Sequence, residues 1–255
     1  MKPLRQERIR RLFEEKPFVS LKELSEMFPH VTSMTLRRDI EDFEARGEVI
    51  KVRGGARSMK FITTSMEEPI TKRLGENTEI KERIAACALR FIEEGRSIFL
   101  DSGTTALALA SFLKEERVTV TTTGPNVATE LIKNRRAIVN LVGGMLNREN
   151  LSVSGGQAKT FIENINIDIA FITPSGFSVE NGFTCGNFQE CELKSAIIKK
   201  TKKVILLVNS EKLNKNMPYT FCDFSDVDII VTDKVLPNEI LAEAQKHNVE
   251  IIVAE

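Results

Sequence analysis

The sequence contains few of the residues that build metal sites or disulfide frameworks. Its four cysteines and two histidines show no C-x-x-C pair and no metal-ligand spacing, so neither a metal nor another cofactor is expected. Apolar runs such as residues 204–208 are far too short to span a bilayer. The N-terminus is charged and lacks the apolar core of a signal peptide. These absences predict a cytoplasmic protein with reduced thiols and no membrane partner.

The charge is balanced overall but unevenly distributed. Residues 1–60 carry 14 Lys and Arg against 10 Asp and Glu, whereas the rest of the 255-residue chain carries 22 against 26. A basic N-terminal segment followed by an acidic remainder of the chain is typical of a protein that binds a polyanion through its N-terminal domain. The excess is modest, so charge alone leaves chance as an alternative.

The first sixty or so residues predict three helices and a β-wing. Apolar spacing predicts a first helix over 3–15, and Ser20-Leu21-Lys22-Glu23 matches a capping box that begins a second helix at Leu21. Thr32 is placed to cap a third helix, and Gly47 follows it where a left-handed residue is common. Residues 49–53 then alternate apolar and basic and end in a glycine pair. This order is that of a winged helix-turn-helix domain.

The outer face of the third helix and the wing hold the residues expected to contact double-stranded DNA. At the helical period, Leu36, Ile40 and Phe43 share the inner face, with Arg38 and Met34 nearly opposite. Arginine's planar fork suits both guanine edges and phosphate oxygens. The predicted contacts are Thr32, Ser33, Met34, Thr35, Arg37, Arg38, Lys51 and Arg53. The alternative is a three-helix protein-interaction module with a solvated charged face.

The remainder of the chain predicts a second, α/β domain. Residues 58–76 show little periodicity and are interpreted as a linker between domains over 1–57 and 77–255. Beyond them, strand-like and amphipathic segments alternate, which predicts a Rossmann-like, mostly parallel sheet covered on both faces. The predicted strands are 97–100, 118–122, 138–142, 168–172, 204–208, 227–231 and 250–253.

Turns that follow these strands predict a ligand site, because ligands of such sheets bind beyond the carboxyl ends of the strands. In Asp101-Ser102-Gly103-Thr104-Thr105, the glycine would let a phosphate approach the backbone, although an ordinary capped turn is an equal alternative. Taken singly, Lys194 and Lys212 are expected to be solvated surface lysines. As a set, the strand-end residues favour a pocket for an anionic, polyhydroxylated ligand. The predicted set is Asp101, Ser102, Gly103, Thr104, Thr105, Asn126, Gly143, Gly144, Arg148, Ser175, Gly176, Thr184, Glu190, Lys194 and Lys212.

These motifs resemble the DeoR family of bacterial transcriptional regulators. The family's V-S-x-x-T-I-R-R-D-L helix and G-G-A turn correspond to residues 31–40 and 54–56, and its D-S-G-T-T, G-G, S-G, G-x-T, E-x-x-x-K and S-x-K motifs follow in order. The resemblance implies a sensor domain with a fold like that of sugar-phosphate isomerases, which binds a phosphorylated sugar or related metabolite. It implies a repressor of a carbohydrate-utilisation operon. A dimer or tetramer is expected, because two small modules on a near-palindromic site bind more tightly than one.

This chain departs from the family pattern at four places. The turn Phe28-Pro29-His30-Val31 is one residue longer than usual, and Arg53 stands where a histidine is common. Thr123-Gly124-Pro125-Asn126 replaces T-N-S, and Asn209 replaces an aspartate. The last two lie at the predicted pocket.

Two other functions are alternatives to a DNA-binding regulator. One is a sugar-phosphate isomerase with an accessory DNA-binding module, for which Asp101, Glu190 and Lys194 are the candidate catalytic residues. The DNA-binding module argues against catalysis as the main role, so no enzyme is predicted. The other is a redox sensor that uses Cys185 and Cys191, and neither has neighbours that clearly stabilise a thiolate.

Overall fold

The structure is a computed structural model that describes residues 2–59 and 67–255. These residues form two compact units, one built from 2–59 together with Asn214–Asn216 and one built from the rest of 67–255. Residues 60–66 of the predicted linker lie outside the described ranges. Within those ranges, no helix is long and apolar enough to cross a membrane.

The N-terminal unit has the predicted order of helices followed by a wing. Its helices are α1 (Lys2–Glu15), α2 (Leu21–Met27) and α3 (Ser33–Ala45). Its strands are β1 (Phe18–Ser20), β2 (Val49–Val52) and β3 (Gly55–Ser58), in an antiparallel sheet of order β1-β3-β2. The hairpin of β2 and β3 is the predicted wing, whereas β1 was not predicted because three residues are too few to show alternation.

Side-chain caps begin α2 and α3 at the predicted positions. The Ser20 hydroxyl accepts a hydrogen bond from the Glu23 N–H at 3.0 Å, and the Thr32 hydroxyl accepts one from the Thr35 N–H at 3.3 Å. Gly47, just beyond α3, has the left-handed φ of 73°. These contacts satisfy N–H groups that a helix leaves unpaired at its start, which explains why the helices begin where they do.

The second unit is built on a seven-stranded parallel sheet. Its strands are β4 (Ser97–Leu100), β5 (Thr119–Thr122), β6 (Ile138–Leu141), β9 (Ile167–Ile172), β12 (Thr201–Val208), β14 (Ile229–Thr232) and β15 (Glu250–Val253). Their order across the sheet is β15-β14-β12-β9-β4-β5-β6. Every predicted strand is present, within a few residues of its predicted bounds. From β4 the chain proceeds outward through β5 to β6, and from β9 it proceeds the other way, so the order reverses between β4 and β9. Sheets of this kind bind ligands at that reversal.

Helices cover both faces of this sheet, as the α/β fold predicts. They are α4 (Ile70–Gly75), α5 (Thr78–Leu89), α6 (Thr104–Phe112), α7 (Pro125–Leu131), α8 (Gly156–Glu163), α9 (Phe188–Lys200) and α10 (Asn238–Lys246). Alternate strand residues enter opposite cores: Ile98 and Leu100 pack with α5 and α6, while Phe99 packs with α8 and α9. Helix α4 lies inside the predicted linker, so residues 70–75 are ordered structure of the second unit.

Short antiparallel strands complete the second unit and were not predicted. They are β7 (Met145–Leu146) and β8 (Val153–Ser154), which form a hairpin, and β10 (Gly176–Ser178), β11 (Gly182–Cys185) and β13 (Tyr219–Cys222), which form a sheet. Helix α9 contacts β13, β11 and β9. It therefore lies between the antiparallel strands and the parallel sheet, which buries residues on more than one of its faces.

Candidate functional site

The N-terminal unit exposes most of the residues predicted to contact DNA. Arg37 and Arg38 are exposed on α3, whereas Leu36, Ile40 and Phe43 on its other face are fully buried. The exposed members of the predicted set are Thr32, Ser33, Met34, Arg37, Arg38, Lys51 and Arg53, and Thr35 is half-buried. The helix is therefore presented with its arginines outward, as a DNA-reading helix requires.

The arginines of this face are available for a polyanion. Among the described residues, no carboxylate lies within ion-pair distance of Arg37, Arg38 or Arg53. Lys51 differs, because its ammonium lies 2.9 Å from the Glu41 carboxylate, and the hydrogen bond to Glu41 raises the pKa of Lys51. Lys51 would have to leave Glu41 to contact a phosphate, so we expect the three arginines to dominate the attraction.

A buried ion pair that sequence reasoning did not identify anchors α3. The Asp39 carboxylate is 1 % exposed and accepts hydrogen bonds from Arg5 Nε at 2.6 Å and Arg5 Nη2 at 3.1 Å. Gln6 donates a further bond at 3.2 Å. Because a bidentate Arg–carboxylate pair fixes geometry as well as charge, α1 holds the orientation of the recognition helix.

In the second unit, Asp101 lies at the reversal of strand order. It directly follows β4, and its carboxylate accepts hydrogen bonds from Thr173, the residue that directly follows β9. Asp101 Oδ2 accepts hydrogen bonds from the Thr173 N–H at 2.9 Å and hydroxyl at 2.6 Å, and Oδ1 accepts one from the Ser102 N–H at 2.8 Å. The first polar residue of the predicted D-S-G-T-T turn therefore joins the two strands between which ligands of this fold bind.

Lys194 completes a buried charge network with Asp101 and Glu190. Its Nζ lies 3.0 Å from Asp101 Oδ2 and 2.9 Å from Glu190 Oε1, and it donates to the Thr173 carbonyl at 2.8 Å. Lys194 is 3 % exposed, so the expectation of a solvated surface lysine was wrong. The i,i+4 spacing from Glu190 was correct, but α9 presents this pair to the interior.

Burial and pairing shift the pKa values of this network in different directions. For Lys194, burial lowers the pKa, but the Asp101 and Glu190 carboxylates raise it well above its ordinary value. For Asp101, burial raises the pKa, but Lys194 and the Thr173 bonds lower it below the ordinary value. Burial raises the pKa of Glu190 in spite of Lys194. Lys194 is therefore charged, and Asp101 is its principal counter-ion.

Close packing of the turns after β4, β5 and β9 requires glycine at two positions at this edge of the sheet. A Cβ on Gly103 would lie 2.2 Å from Thr173 Oγ1, in the turn after β9, and a Cβ on Gly124 would lie 2.8 Å from Ser102 Cα, in the turn after β4. The Asn126 amide lies in the first turn of α7, directly after Gly124 and Pro125. Its nitrogen and oxygen are both buried without a hydrogen-bond partner among the described residues. An unsatisfied buried amide of this kind is expensive unless a ligand or water completes it.

The loop of the hairpin formed by β7 and β8 contacts the charge network of Asp101, Glu190 and Lys194 through Asn150, which was not in the predicted set. Asn150 Nδ2 donates to Glu190 Oε2 at 2.6 Å. Of the predicted residues in this part of the chain, Gly143, Gly144 and Arg148 are exposed. No hydrogen bond or ion pair of the described residues joins Arg148 to Asp101, Glu190 or Lys194.

The other predicted residues take several positions. Ser102 and Thr105 are buried and Thr104 is half-buried in the turn and first turn of α6. The Thr184 hydroxyl is fully buried and already bonds the Gly176 carbonyl and the Met217 N–H, at 3.0 and 3.1 Å. Lys212 is half-buried in a 3₁₀ turn over Ser210–Lys212.

Ser175 has an unexpected partner, the carboxylate of Glu67. Glu67 Oε1 accepts hydrogen bonds from the Ser175 hydroxyl and from the Gly186 N–H, the latter at 3.1 Å. Arg73 Nη2 lies 3.6 Å from the other carboxylate oxygen. Glu67 and Arg73 lie in the segment interpreted as a linker, where no pattern marked them.

Of the site residues that were not predicted, only Thr173 could have been identified from the sequence. Thr173 directly follows β9, so the strand-end rule could have found it one residue before the Pro174-Ser175-Gly176 turn. Asn150, Glu67 and Arg73 stand in irregular or short segments with no periodicity to indicate what they contact. Their roles depend on long-range contacts that only the folded chain reveals.

The cysteines are free, and three of them are buried in the second unit. Cys185 and Cys191 donate weak bonds to the backbone carbonyls of Asn187 and Thr220. Contact with Cys191 and burial raise the pKa of Cys185, which disfavours a thiolate there. Over residues 2–59 and 67–255, no three His, Cys, Asp or Glu side chains are grouped as metal ligands would be.

Comparison with known proteins matches both units. Residues 5–61 match the DeoR-like helix-turn-helix domain, and residues 76–234 match the DeoR C terminal sensor domain. The chain is 32 % identical to the HTH-type transcriptional regulator GolR of Listeria innocua, over 98 % of each chain. It is 28 % identical to the glycerol-3-phosphate regulon repressor of Escherichia coli, over 94 % of each. A ribose 5-phosphate isomerase from Methanocaldococcus jannaschii aligns over 54 % of this chain and 55 % of its own, with 16 % identity and a TM-score of 0.40.

Proposed function

This chain belongs to the DeoR family of transcriptional regulators, and we propose that it represses a carbohydrate-utilisation operon until a phosphorylated sugar binds its sensor domain. The observation that carries the DNA-binding part is the capped helix α3, which presents Arg37 and Arg38 outward with no carboxylate paired to them among the described residues. The relative named as a glycerol-3-phosphate regulon repressor supports a phosphorylated effector.

The charge network of the second unit supports recognition of the effector. Asp101, Glu190 and Lys194 offer charged acceptors and a donor at the position where sheets of this kind bind ligands, which suits the hydroxyl groups of a sugar. The unpartnered Asn126 amide supports a polar ligand at the adjoining turn. We propose that these residues, with the turn from Ser102 to Thr105, form the effector site.

We propose that this site senses its ligand and does not convert it. The match of both units to a family of transcriptional regulators supports sensing, because the relatives are named as regulators and repressors. Incubation with ribose 5-phosphate tests the point: turnover above background would contradict sensing alone.

Release from DNA requires only modest coupling between the two sites. A ligand shifts the DNA-binding equilibrium by its differential affinity for the two states, typically about 1–3 kcal/mol. Two modules on a near-palindromic operator would supply the affinity that one module lacks, so we propose a homo-oligomer as the DNA-binding species. Sedimentation of the protein with and without operator tests this.

The direct test of the function is an operator titration with matched arginine variants. An operator is selected from a randomised DNA pool, and binding is followed by gel shift. Arg38→Ala should weaken binding by about 1–3 kcal/mol while the fold is retained. Arg11→Ala is the control, because Arg11 is 71 % exposed on α1 and its ion-pair partner, Glu7, is on the same helix. Equal affinity of Arg38→Ala and wild-type protein would count against the assignment.

A further inference from the structure

The contacts of Glu67 resemble those of a bound oxyanion. Its carboxylate is held by a hydroxyl from Ser175, a backbone N–H from Gly186 and the guanidinium of Arg73. A hydroxyl, an amide and a guanidinium that converge on one carboxylate are the usual donor set for phosphate and carboxylate groups of ligands. Here the chain itself supplies the anion.

Arg73 is half-buried, and Lys81 holds the backbone around it. The Glu67 and Arg73 side chains are 11 % and 16 % exposed. Lys81 Nζ donates to the carbonyls of Arg73 and Glu76, and burial lowers the pKa of Lys81. Arg73 Nε is buried without a hydrogen-bond partner. Arg73 thus has a donor that the Glu67 carboxylate does not use and that an anion with more oxygens could occupy.

The Glu67 position lies close to the charge network already described. Ile70, on the same short helix as Arg73, donates its N–H to the Glu149 carbonyl at 2.7 Å, and the next residue, Asn150, bonds Glu190. The charge of Glu67 also contributes to the raised pKa of Glu190. A ligand that bonds Glu190 and Lys194 through its hydroxyl groups would therefore bring an anionic group near the Glu67 carboxylate.

We propose that Arg73, the Ser175 hydroxyl and the Gly186 N–H form a subsite for an oxyanion of the effector, and that the Glu67 carboxylate occupies this subsite when effector is absent. The inference rests on the proposed function and adds the group that recognises the effector's charge. The ligand class is a phosphate or a carboxylate, since both match the donor set. The network of Asp101, Glu190 and Lys194 has two carboxyl groups on one ammonium, so Arg73 supplies positive charge that an anionic effector needs.

Glu67 also has a position in the chain that suits control of DNA binding. It lies between the residues matched to the helix-turn-helix domain, 5–61, and those matched to the sensor domain, 76–234. An effector oxyanion that takes the three donors would release the Glu67 side chain in this intervening segment.

The test is to vacate the subsite and fill it with free anions. Glu67→Ala and Glu67→Gln are prepared with Glu68→Ala as the matched control, since Glu68 is an exposed carboxylate that pairs with Lys72. Melting temperature is measured against inorganic phosphate and, separately, acetate, with sodium chloride at equal ionic strength. A ligand that binds only the folded state raises the melting temperature. The Glu67 variants should bind phosphate or acetate about tenfold more tightly than wild type, a difference that such titrations resolve.

Arg73→Met in the Glu67→Gln background should abolish the gain, and the Glu68→Ala control should show none. Preference for phosphate over acetate, or the reverse, identifies which oxyanion the subsite takes. The absence of any gain in both Glu67 variants, or an equal gain with Arg73→Met, would overturn the subsite. If a sugar phosphate releases the wild-type protein from DNA without such a gain, the subsite is wrong and the proposed function stands. If the gain occurs and no sugar phosphate affects the wild-type protein, the subsite is supported and the sugar-phosphate effector is rejected.

Discussion

Replacing Lys194 by methionine tests whether the charge network of the sensor domain is as buried as the structure indicates. Methionine keeps most of the volume of the lysine stem but removes the ammonium. Asp101 and Glu190, at 2 % and 7 % exposure, would then lose the cation that lies about 3 Å from each. Removing one partner of a buried ion pair costs about 3–5 kcal/mol, because the remaining charge is left without compensation. A domain is typically stable by about 5–15 kcal/mol, so this is a large fraction.

The chain offers a specific fluorescence probe for this measurement. It has no tryptophan and one tyrosine, Tyr219, which lies on β13 of the second unit. Tyrosine fluorescence in a urea titration therefore follows unfolding of that unit alone. The control is Lys202→Met, because Lys202 is 76 % exposed in its pair with Asp168 and should contribute less than about 1 kcal/mol. A loss of less than about 1 kcal/mol for Lys194→Met at neutral pH would show that Lys194 is not the buried counter-ion of Asp101 and Glu190.

The same variant has a predicted pH dependence. The lowered pKa of Asp101 in the folded protein stabilises it above the ordinary aspartate pKa of about 3.9, and this stability is lost as pH falls through the folded value. The raised pKa of Lys194 stabilises the folded state until pH rises through a value well above 10.5. Glu190 acts in the opposite sense to Asp101, because its raised pKa favours folding at acid pH. The effect of Lys194→Met should therefore be largest between about pH 5 and 10 and should shrink below about pH 4.

Further predictions concern both units. Arg5→Ala should destabilise the N-terminal unit by about 3 kcal/mol, because it leaves the buried Asp39 carboxylate without its cation. Hydrogen exchange of the α3 amides should then accelerate, and unchanged exchange would contradict the role of Arg5 in holding α3. Gly103→Ala should abolish effector-induced stabilisation but keep operator binding, because the added Cβ meets Thr173 Oγ1 at 2.2 Å; a thermal-shift response equal to wild type would oppose this. Lys212→Ala should leave operator affinity unchanged and require more effector for release, and release at wild-type effector concentrations would exclude Lys212 from the site.

The parallel sheet was predictable because its strands are short apolar runs bounded by turns. Residues 204–208 and 168–172 have branched aliphatic side chains at nearly every position, as strands covered on both faces require. The strands β10 and β11 were not predictable in this way. Gly176 and Gly182, which begin them, are strong turn signals, and each strand is too short for alternation to outweigh them.

The candidate site was predictable in its positions and not in its contacts. The strand-end rule selected Asp101, and the i,i+4 pair selected Glu190 and Lys194, but nothing in the periodicity of α9 indicates that it packs against two layers of strands. Lys194 is buried for that reason. Asp39 was overlooked for a similar reason, because its burial depends on Arg5, which is far away in the sequence.

Effector-controlled DNA binding can be measured by fluorescence anisotropy of the wild-type protein on its selected operator, with a panel of sugar phosphates added in turn. Glycerol 3-phosphate, ribose 5-phosphate and the common hexose phosphates form the panel. We expect sequence-specific binding that at least one of these compounds weakens about tenfold, which corresponds to about 1.4 kcal/mol of coupling. Binding that no member of the panel alters, or the same affinity for operator and random DNA, would contradict this expectation.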